Sequence, residues 1–262
     1  MSDIEFHTFN SCDFVLDQSV MTVGAGCGVR TRITVTWSLV KHPDGIVMID
    51  TGMSKDVITD ADTAWGTGEE RLGVPIMSKG MEIEAQLAKI DLKPTDVNYV
   101  IHTHLHGDHA GGNLDLPNAK FIVQQDEYDY AQGPDIPSMV REYPVDQIGI
   151  GALDFQTIKG DMDLFEDGTI NIFSTPGHTP GHSSILVRLK ETGHVLITGD
   201  AMWTNDMRDE MLMPGICWFA SDYARSRKRL MQLQDLESAR YLFPHDPDTF
   251  KGGFWEEAKA YK

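Results

Sequence analysis

The chain reads as α/β, and three observations lead there. Short apolar or alternating runs of strand length recur along all 262 residues. Stretches with helical apolar spacing separate them. Several of the strand-like runs also end in histidine or aspartate, so the polar residues collect at strand ends rather than at random.

Taken in order, "TRITVTWSLV" alternates Ile33, Val35, Trp37 and Leu39 on one face and is a strand. The turn "HPDG" joins it to a hairpin partner, "IVMIDTG". The polar, Gly-rich stretch from about Asp60 to Gly80, with Trp65 inside it, is expected to be a long loop, and functional lids are one reason for such loops. "EIEAQLAKIDL" spaces Ile83, Leu87 and Ile90 for a helix that leads to the short buried strand "VNYVIHT". "TINIFSTPGH" ends a later strand at a turn, and "SSILVRLK" with "HVLITGD" forms a hairpin across "ETG". "SDYARSRKRLMQL" is a helix with Ser221 as its cap and Leu230 and Leu233 on its stripe. "SARYLFPHDPD" brings a last short strand to His245.

A hydrophobic content of 41% is enough for a sizeable core. The net charge of -18, from 40 acidic and 22 basic residues, excludes a general nucleic-acid role. The basic run "RSRKR", Arg225 to Arg229, spreads over several helix faces and is read as solvated surface. Cys12, Cys27 and Cys217 match no metal knuckle and no disulfide framework, and fit thiols in a reducing compartment. No signal peptide and no membrane span is visible, so a cytoplasmic protein with no membrane partner is expected.

The chemistry concentrates in "HTHLHGDH", His102 to His109, which holds four of the ten histidines. Gly107 gives the backbone freedom to turn, so that His104 and His106 can converge on one cation while Asp108 and His109 serve a neighbour. Imidazole with carboxylate suits zinc, and also iron, manganese or cobalt. One catalytic zinc uses about three protein ligands and a water. His182 in "TPGHTPGHSS", Asp200 in "LITGDAMW" and His245 in "FPHDPD" stand at strand ends and offer the rest.

HxHxDH at His104 to His109, the GH at His182, the "TGD" aspartate Asp200 and the late His245 together resemble the metallo-β-lactamase superfamily. Within it the chain looks most like the N-acyl-homoserine lactonase and γ-lactonase branch, through its size, "HTHLHGDHAGGN", "TPGHTPGHSS" and "HDPDTF". The resemblance covers nearly the whole chain. It implies a single hydrolase domain over residues 1–262, built as an αββα sandwich: two mixed β-sheets face to face with outer helices. It implies two divalent metal ions, zinc first among them. His104, His106 and His182 would hold one; Asp108, His109 and His245 would hold the other; Asp200 would bridge them. His178 would orient backbone or a ligand from behind, and His102 would lie outside the metal shell.

The implied reaction is ring-opening of a lactone, the quorum-quenching activity of the branch, by a metal-activated water, with Asp108 carrying the proton to the leaving alkoxide. Hydrolysis of carboxylesters, thioesters or phosphoesters on the same scaffold is the alternative. An iron-dependent dioxygenase is a further rival; di-iron redox members carry a Glu where His106 stands here. The partner is a small lactone or ester, with a homodimer possible. One departure stands out: the branch commonly places a carbonyl-binding tyrosine three residues past the bridging aspartate, and this chain has Trp203. Its indole N–H can donate, or the ring can pack a pocket wall. Trp65, Met202, Trp203, Met211, Met213 and Trp218 are candidates for an apolar pocket.

Overall fold

The computed structural model describes residues 3–66, 73–135, 142–208 and 212–262. Twelve strands form two sheets among them. The first sheet takes β1 (Glu5–Asp17), β2 (Arg30–His42), β3 (Gly45–Ile49), β4 (Gly73–Ile76), β5 (Tyr99–Ile101), β6 (Lys120–Gln124) and β7 (Asp154–Ile158), in the order β4-β1-β2-β3-β5-β6-β7. The second takes β8 (Met162–Asp163), β9 (Ile170–Ser174), β10 (Ser183–Val187), β11 (Val195–Ile197) and β12 (Arg240–Leu242), in the order β12-β11-β10-β9-β8. Both are mixed. β3, β5, β6 and β7 run parallel in the first, and β11 and β12 run parallel in the second.

The sheets pack face to face through one apolar layer. Phe6, Val40, Ile49, Ile101 and Ile122 of the first sheet meet Ile172, Ile185, Val187 and Ile197 of the second. Each sheet buries its other face under a helix. Ile83 and Leu87, in the helix Ile83–Ala88, pack on Trp37, Met48, Val100 and Phe121. Leu230, in the helix Ala220–Glu237, packs with Leu186, Leu196, Trp203 and Met207. Burial on both faces explains why the central strands read as unbroken apolar runs. The result is the expected αββα sandwich. No helix among the described residues is long and apolar enough to cross a membrane.

Three sequence expectations need correction. The stretch beyond Asp60 is not a simple loop. Val57–Trp65 is helical, with Val57, Ala61, Ala64 and Trp65 packed on the Phe14 side of β1, and Gly73–Ile76 pairs with β1. Positions 67–72 lie outside the described residues, as does Met211. Ser221 does not cap its helix, which begins one residue earlier at Ala220 and has no side-chain cap. Gly107 needs no special backbone freedom. It opens the short helix Gly107–Ala110, and its missing side chain makes room for Trp65 and Pro144, which a Cβ would meet at 3.0 and 3.1 Å.

The basic run does spread over several faces, but it is not all solvated surface: Arg225 pairs with Asp222 and Arg229 with Asp161, whereas Ser226 and Arg227 are buried, Arg227 donating to the Leu212 carbonyl. Cys12 is buried, Cys217 half-buried and Cys27 exposed, all as free thiols.

Candidate metal centre

Four strands deliver the polar residues to one edge of the sandwich. β5 ends at Ile101 and the histidine motif follows; β9 ends at Ser174 and "TPGHTPGH" follows; β11 ends at Ile197, just before Asp200; β12 ends at Leu242, just before His245. In the second sheet β9 and β11 are both antiparallel to β10, and β12 is parallel to β11, so all three discharge at the same rim.

Two donor groups meet there. In the first, His106 Nδ1 lies 3.0 Å from His104 Nε2 and 3.1 Å from His178 Nε2. In the second, His109 Nε2 lies 3.3 Å from His245 Nε2, and Asp108 Oδ2 is 3.6 and 3.7 Å from these two nitrogens. Asp200 stands between the groups. Its Oδ2 is 3.2 Å from His178 Nε2 and 3.9 Å from His104 Nε2, while its Oδ1 is 3.1 Å from His245 Nε2 and 3.3 Å from His109 Nε2.

The outward-facing partners fix what the inward atoms are. His178 Nδ1 faces the Ile216 carbonyl at 3.3 Å and His245 Nδ1 faces the Thr34 carbonyl at 2.8 Å, so each must donate there and keep a lone pair on Nε2. His109 Nδ1 donates to Asp50 Oδ2 at 2.9 Å. Thr103 Oγ1 spends its proton on Asp50, so toward His104 Nδ1, at 3.0 Å, it can only accept. Lone pairs and carboxylate oxygens thus crowd together at about hydrogen-bond distance, with too few protons to pair them all. His106 Nε2 and Asp200 Oδ1 are buried without a hydrogen-bond partner. Such a cluster is stable around cations, and the donor set fits one or two divalent ions.

The electrostatics agree. Burial, then the neighbouring imidazoles, holds His104 and His106 well below the usual histidine range, so both are neutral donors. Burial would lower His109 too, but Asp108, Asp200 and Asp50 outweigh it and hold it well above that range. A proton and a cation therefore compete for the second group.

The structure brings together six of the seven residues expected from the sequence: His104, His106, Asp108, His109, Asp200 and His245. The seventh, His182, is elsewhere, and the expectations for the two histidines of "GHTPGH" are reversed. His182 Nδ1 donates to the Thr175 carbonyl at 3.1 Å, and its Nε2 accepts the Asp200 backbone N–H at 2.8 Å. No lone pair is left for a metal. His182 instead sets the position of Asp200. Burial drives its pKa down to about 3, which keeps it in this accepting form. The close approach requires Gly199 beside it: a Cβ there would sit 2.6 Å from His182 Nε2, at φ +51°. His102 lies outside both groups, stacked on Phe121 with its Nδ1 3.5 Å from Asp50.

Sequence reasoning passed over two acids. Asp50, at the end of β3, is buried in the left-handed region at φ +57° and accepts from Thr103 N, Thr103 Oγ1 and His109. Glu127 is buried on the helix Gln125–Ala131 and accepts from Leu105 N, Tyr143 Oη, Thr179 Oγ1 and Gly181 N. It thereby ties the His104–His106 loop to the "GHTPGH" loop. The "DTG" following an apolar run was the available signal for Asp50. A lone acid such as Glu127 gives none.

Beside the donors is a cavity whose apolar wall includes Phe14, Leu16, Trp65 and Ile216. Trp203 belongs to it, with its ring 5.3 Å from His245 and 5.9 Å from His178, and its Nε1 is buried without a partner. Met202 packs in the core below, and Met213 and Trp218 are not on this wall.

Comparison with known proteins agrees with this architecture. Residues 30–245 match the model of the metallo-beta-lactamase superfamily. The chain is similar to the N-acyl homoserine lactonase AttM of Azorhizobium caulinodans, 35% identical over 95% of this chain and 96% of that one. It is 32% identical to an N-acyl homoserine lactonase of Bacillus cereus, over 91% of each. A solved structure of an N-acyl homoserine lactone hydrolase, with its product N-hexanoyl-L-homoserine at the catalytic metal center, superposes with a TM-score of 0.86 at 28% identity, covering 97% of this chain and 98% of the other. With its motif, sandwich and match all in agreement, the chain belongs to the metallo-beta-lactamase superfamily.

Proposed function

We propose that this protein is a two-zinc hydrolase that opens the ring of N-acyl homoserine lactones. The observation that carries the two-metal reading is the position of Asp200, whose two oxygens face separate sets of imidazole nitrogens. His104, His106 and His178 would hold the first ion, Asp108, His109 and His245 the second, and Asp200 would serve both. Lactonases similar over nearly the full length of the chain support the substrate.

Two bound cations supply a water that is nucleophilic near neutral pH and a charge that polarises the ester carbonyl. The protein's part is positioning and proton transfer. Asp108, partly exposed at the cavity, takes the proton that the attacking water gives up. It returns that proton to the ring oxygen as the C–O bond breaks, leaving an N-acyl homoserine. Trp203 lines the same cavity with its N–H unpartnered, and it would donate that N–H to the substrate carbonyl. The apolar wall takes the acyl chain.

The test is a panel assay of the zinc-loaded protein on an N-acyl homoserine lactone, a simple γ-lactone, an aryl ester and a thioester. Fastest turnover is expected on the lactones. Rapid thioester or aryl-ester cleavage with no ring-opening would refute the lactonase reading.

A further inference from the structure

Glu142 belongs to neither donor group, yet its side chain lines the same cavity. The residue is only 9% exposed. Its backbone carbonyl accepts from Gly107 N at 2.8 Å, which anchors it beside the turn that follows His106. No hydrogen bond or ion pair from the described residues reaches its carboxyl. The N–H groups on this cavity that lack a partner, Trp203 Nε1 and His106 Nε2, make no bond to it either, and the charges that act on it are those of Asp108 and Asp200. Burial first, then those two charges, pushes the carboxyl up to about 8. Buried polar groups in native proteins are nearly always paired, so one that faces a ligand cavity without a partner points to a group that arrives with the ligand. An N–H or O–H satisfies either form of the carboxyl, since both keep an acceptor oxygen, whereas a carbonyl satisfies only the protonated form.

Resting on the lactonase reading above, we propose that Glu142 accepts a hydrogen bond from the amide N–H beside the lactone ring, and so selects acylamino lactones over alkyl lactones. An N-acyl homoserine lactone carries one such donor on the ring carbon next to its carbonyl. An alkyl lactone of the same size carries none. A site that loses its hydrogen bond to substrate discriminates strongly, because the buried acceptor stays unpaired in the complex. Glu142 is a specificity residue in this scheme and takes no part in breaking the ester.

The test uses the zinc-loaded enzyme and three substrates of matched chain length: an N-acyl homoserine lactone, its N-methylated analogue, and an α-alkyl γ-butyrolactone. Glu142→Leu should raise KM for the first roughly ten- to a hundredfold, leave its kcat within a few-fold, and move the alkyl lactone by less than about threefold. Glu142→Gln keeps a carbonyl acceptor and should stay within about fivefold of the parent on the N–H substrate. The unaltered protein should prefer N–H over N-methyl, and Glu142→Leu should not. Equal losses on all three substrates would assign Glu142 a structural role and overturn the proposal, as would unchanged KM values in the Leu variant. If the unaltered protein opens none of the three lactones, the lactonase reading itself fails. If it opens all three without regard to the N–H, only the Glu142 proposal falls.

Discussion

Replacing the two histidines of "GHTPGH" one at a time should separate ligand from positioner. His178→Ala deletes one of four atoms facing the first ion, the others being His104 Nε2, His106 Nδ1 and Asp200 Oδ2. His182→Ala deletes no donor, but leaves the Asp200 N–H, now held at 2.8 Å, without its acceptor. Loss of a residue behind a metal ligand commonly lowers affinity ten- to a hundredfold, about 1.4–2.7 kcal/mol. Loss of the ligand itself should exceed the upper end of that range. A second pair of variants sharpens the contrast. The side-chain carbonyl in His182→Gln can still accept the Asp200 N–H and should hold the affinity within about tenfold, whereas His178→Gln offers a poor amide oxygen where a nitrogen is needed. After equilibration in a zinc buffer and gel filtration, elemental analysis should find about two ions per chain in His182→Gln and about one in His178→Ala and His178→Gln. Full occupancy in His178→Ala, with loss of one ion from His182→Gln, would refute the lone-pair assignment on which the centre is built.

Asp200→Asn removes charge shared by both donor groups, and elemental analysis should find less than about one ion per chain, with activity falling in parallel. Trp203→Phe keeps the ring's packing but loses the unpartnered N–H. Its kcat/KM on an N-acyl homoserine lactone should drop roughly ten- to a hundredfold, about 1.4–2.7 kcal/mol, and a change within a few-fold would make Trp203 a wall residue only. Glu142 gives a pH signature in chelator-treated protein. Its carboxyl is raised from the usual 4.5 to about 8, so the folded chain keeps a proton that the unfolded chain releases. The stability this contributes is full below about 4.5 and is lost as pH rises to about 8. Glu142→Gln does not titrate and should gain on the parent across that window by up to about 5 kcal/mol, read as a growing difference in Tm. Zinc loading should shrink the gain by neutralising Asp108 and Asp200.

The sequence disclosed the centre to the extent that its ligands follow local rules. HxHxDH is contiguous, and Asp200 and His245 stand just beyond apolar runs that are recognisable strands. The sandwich followed because buried central strands leave unbroken apolar stretches. What stayed hidden depends on distant partners. His178 and His182 sit in near-identical "PGH" turns, and the Ile216 carbonyl and the Asp200 amide, from other segments, decide which nitrogen stays free. β1 escaped notice because its register shifts between Asn10 and Cys12, which breaks the alternation that marks a strand. Trp65 read as a loop aromatic because the apolar stripe around it is short and finds its partner on Phe14, more than 50 positions back. Glu127 and Glu142 look in sequence like any solvated acid; only burial shows that one is fully paired and the other unpaired.

The two sheets come from successive stretches of the chain, the first closing at Ile158 and the second opening at Met162. Neither donor group is complete within one stretch. The first needs His178 and Asp200 from the C-terminal part, and the second needs His245, 136 positions beyond His109. A chain emerging from the ribosome therefore exposes its whole histidine motif while holding neither finished site. Metal capture becomes a late event that follows docking of one sheet on the other. Ions held there would act as rivets across that seam, bonds of high sequence separation that form slowly and come apart only when the halves do. Zinc should accordingly slow unfolding far more than it speeds folding.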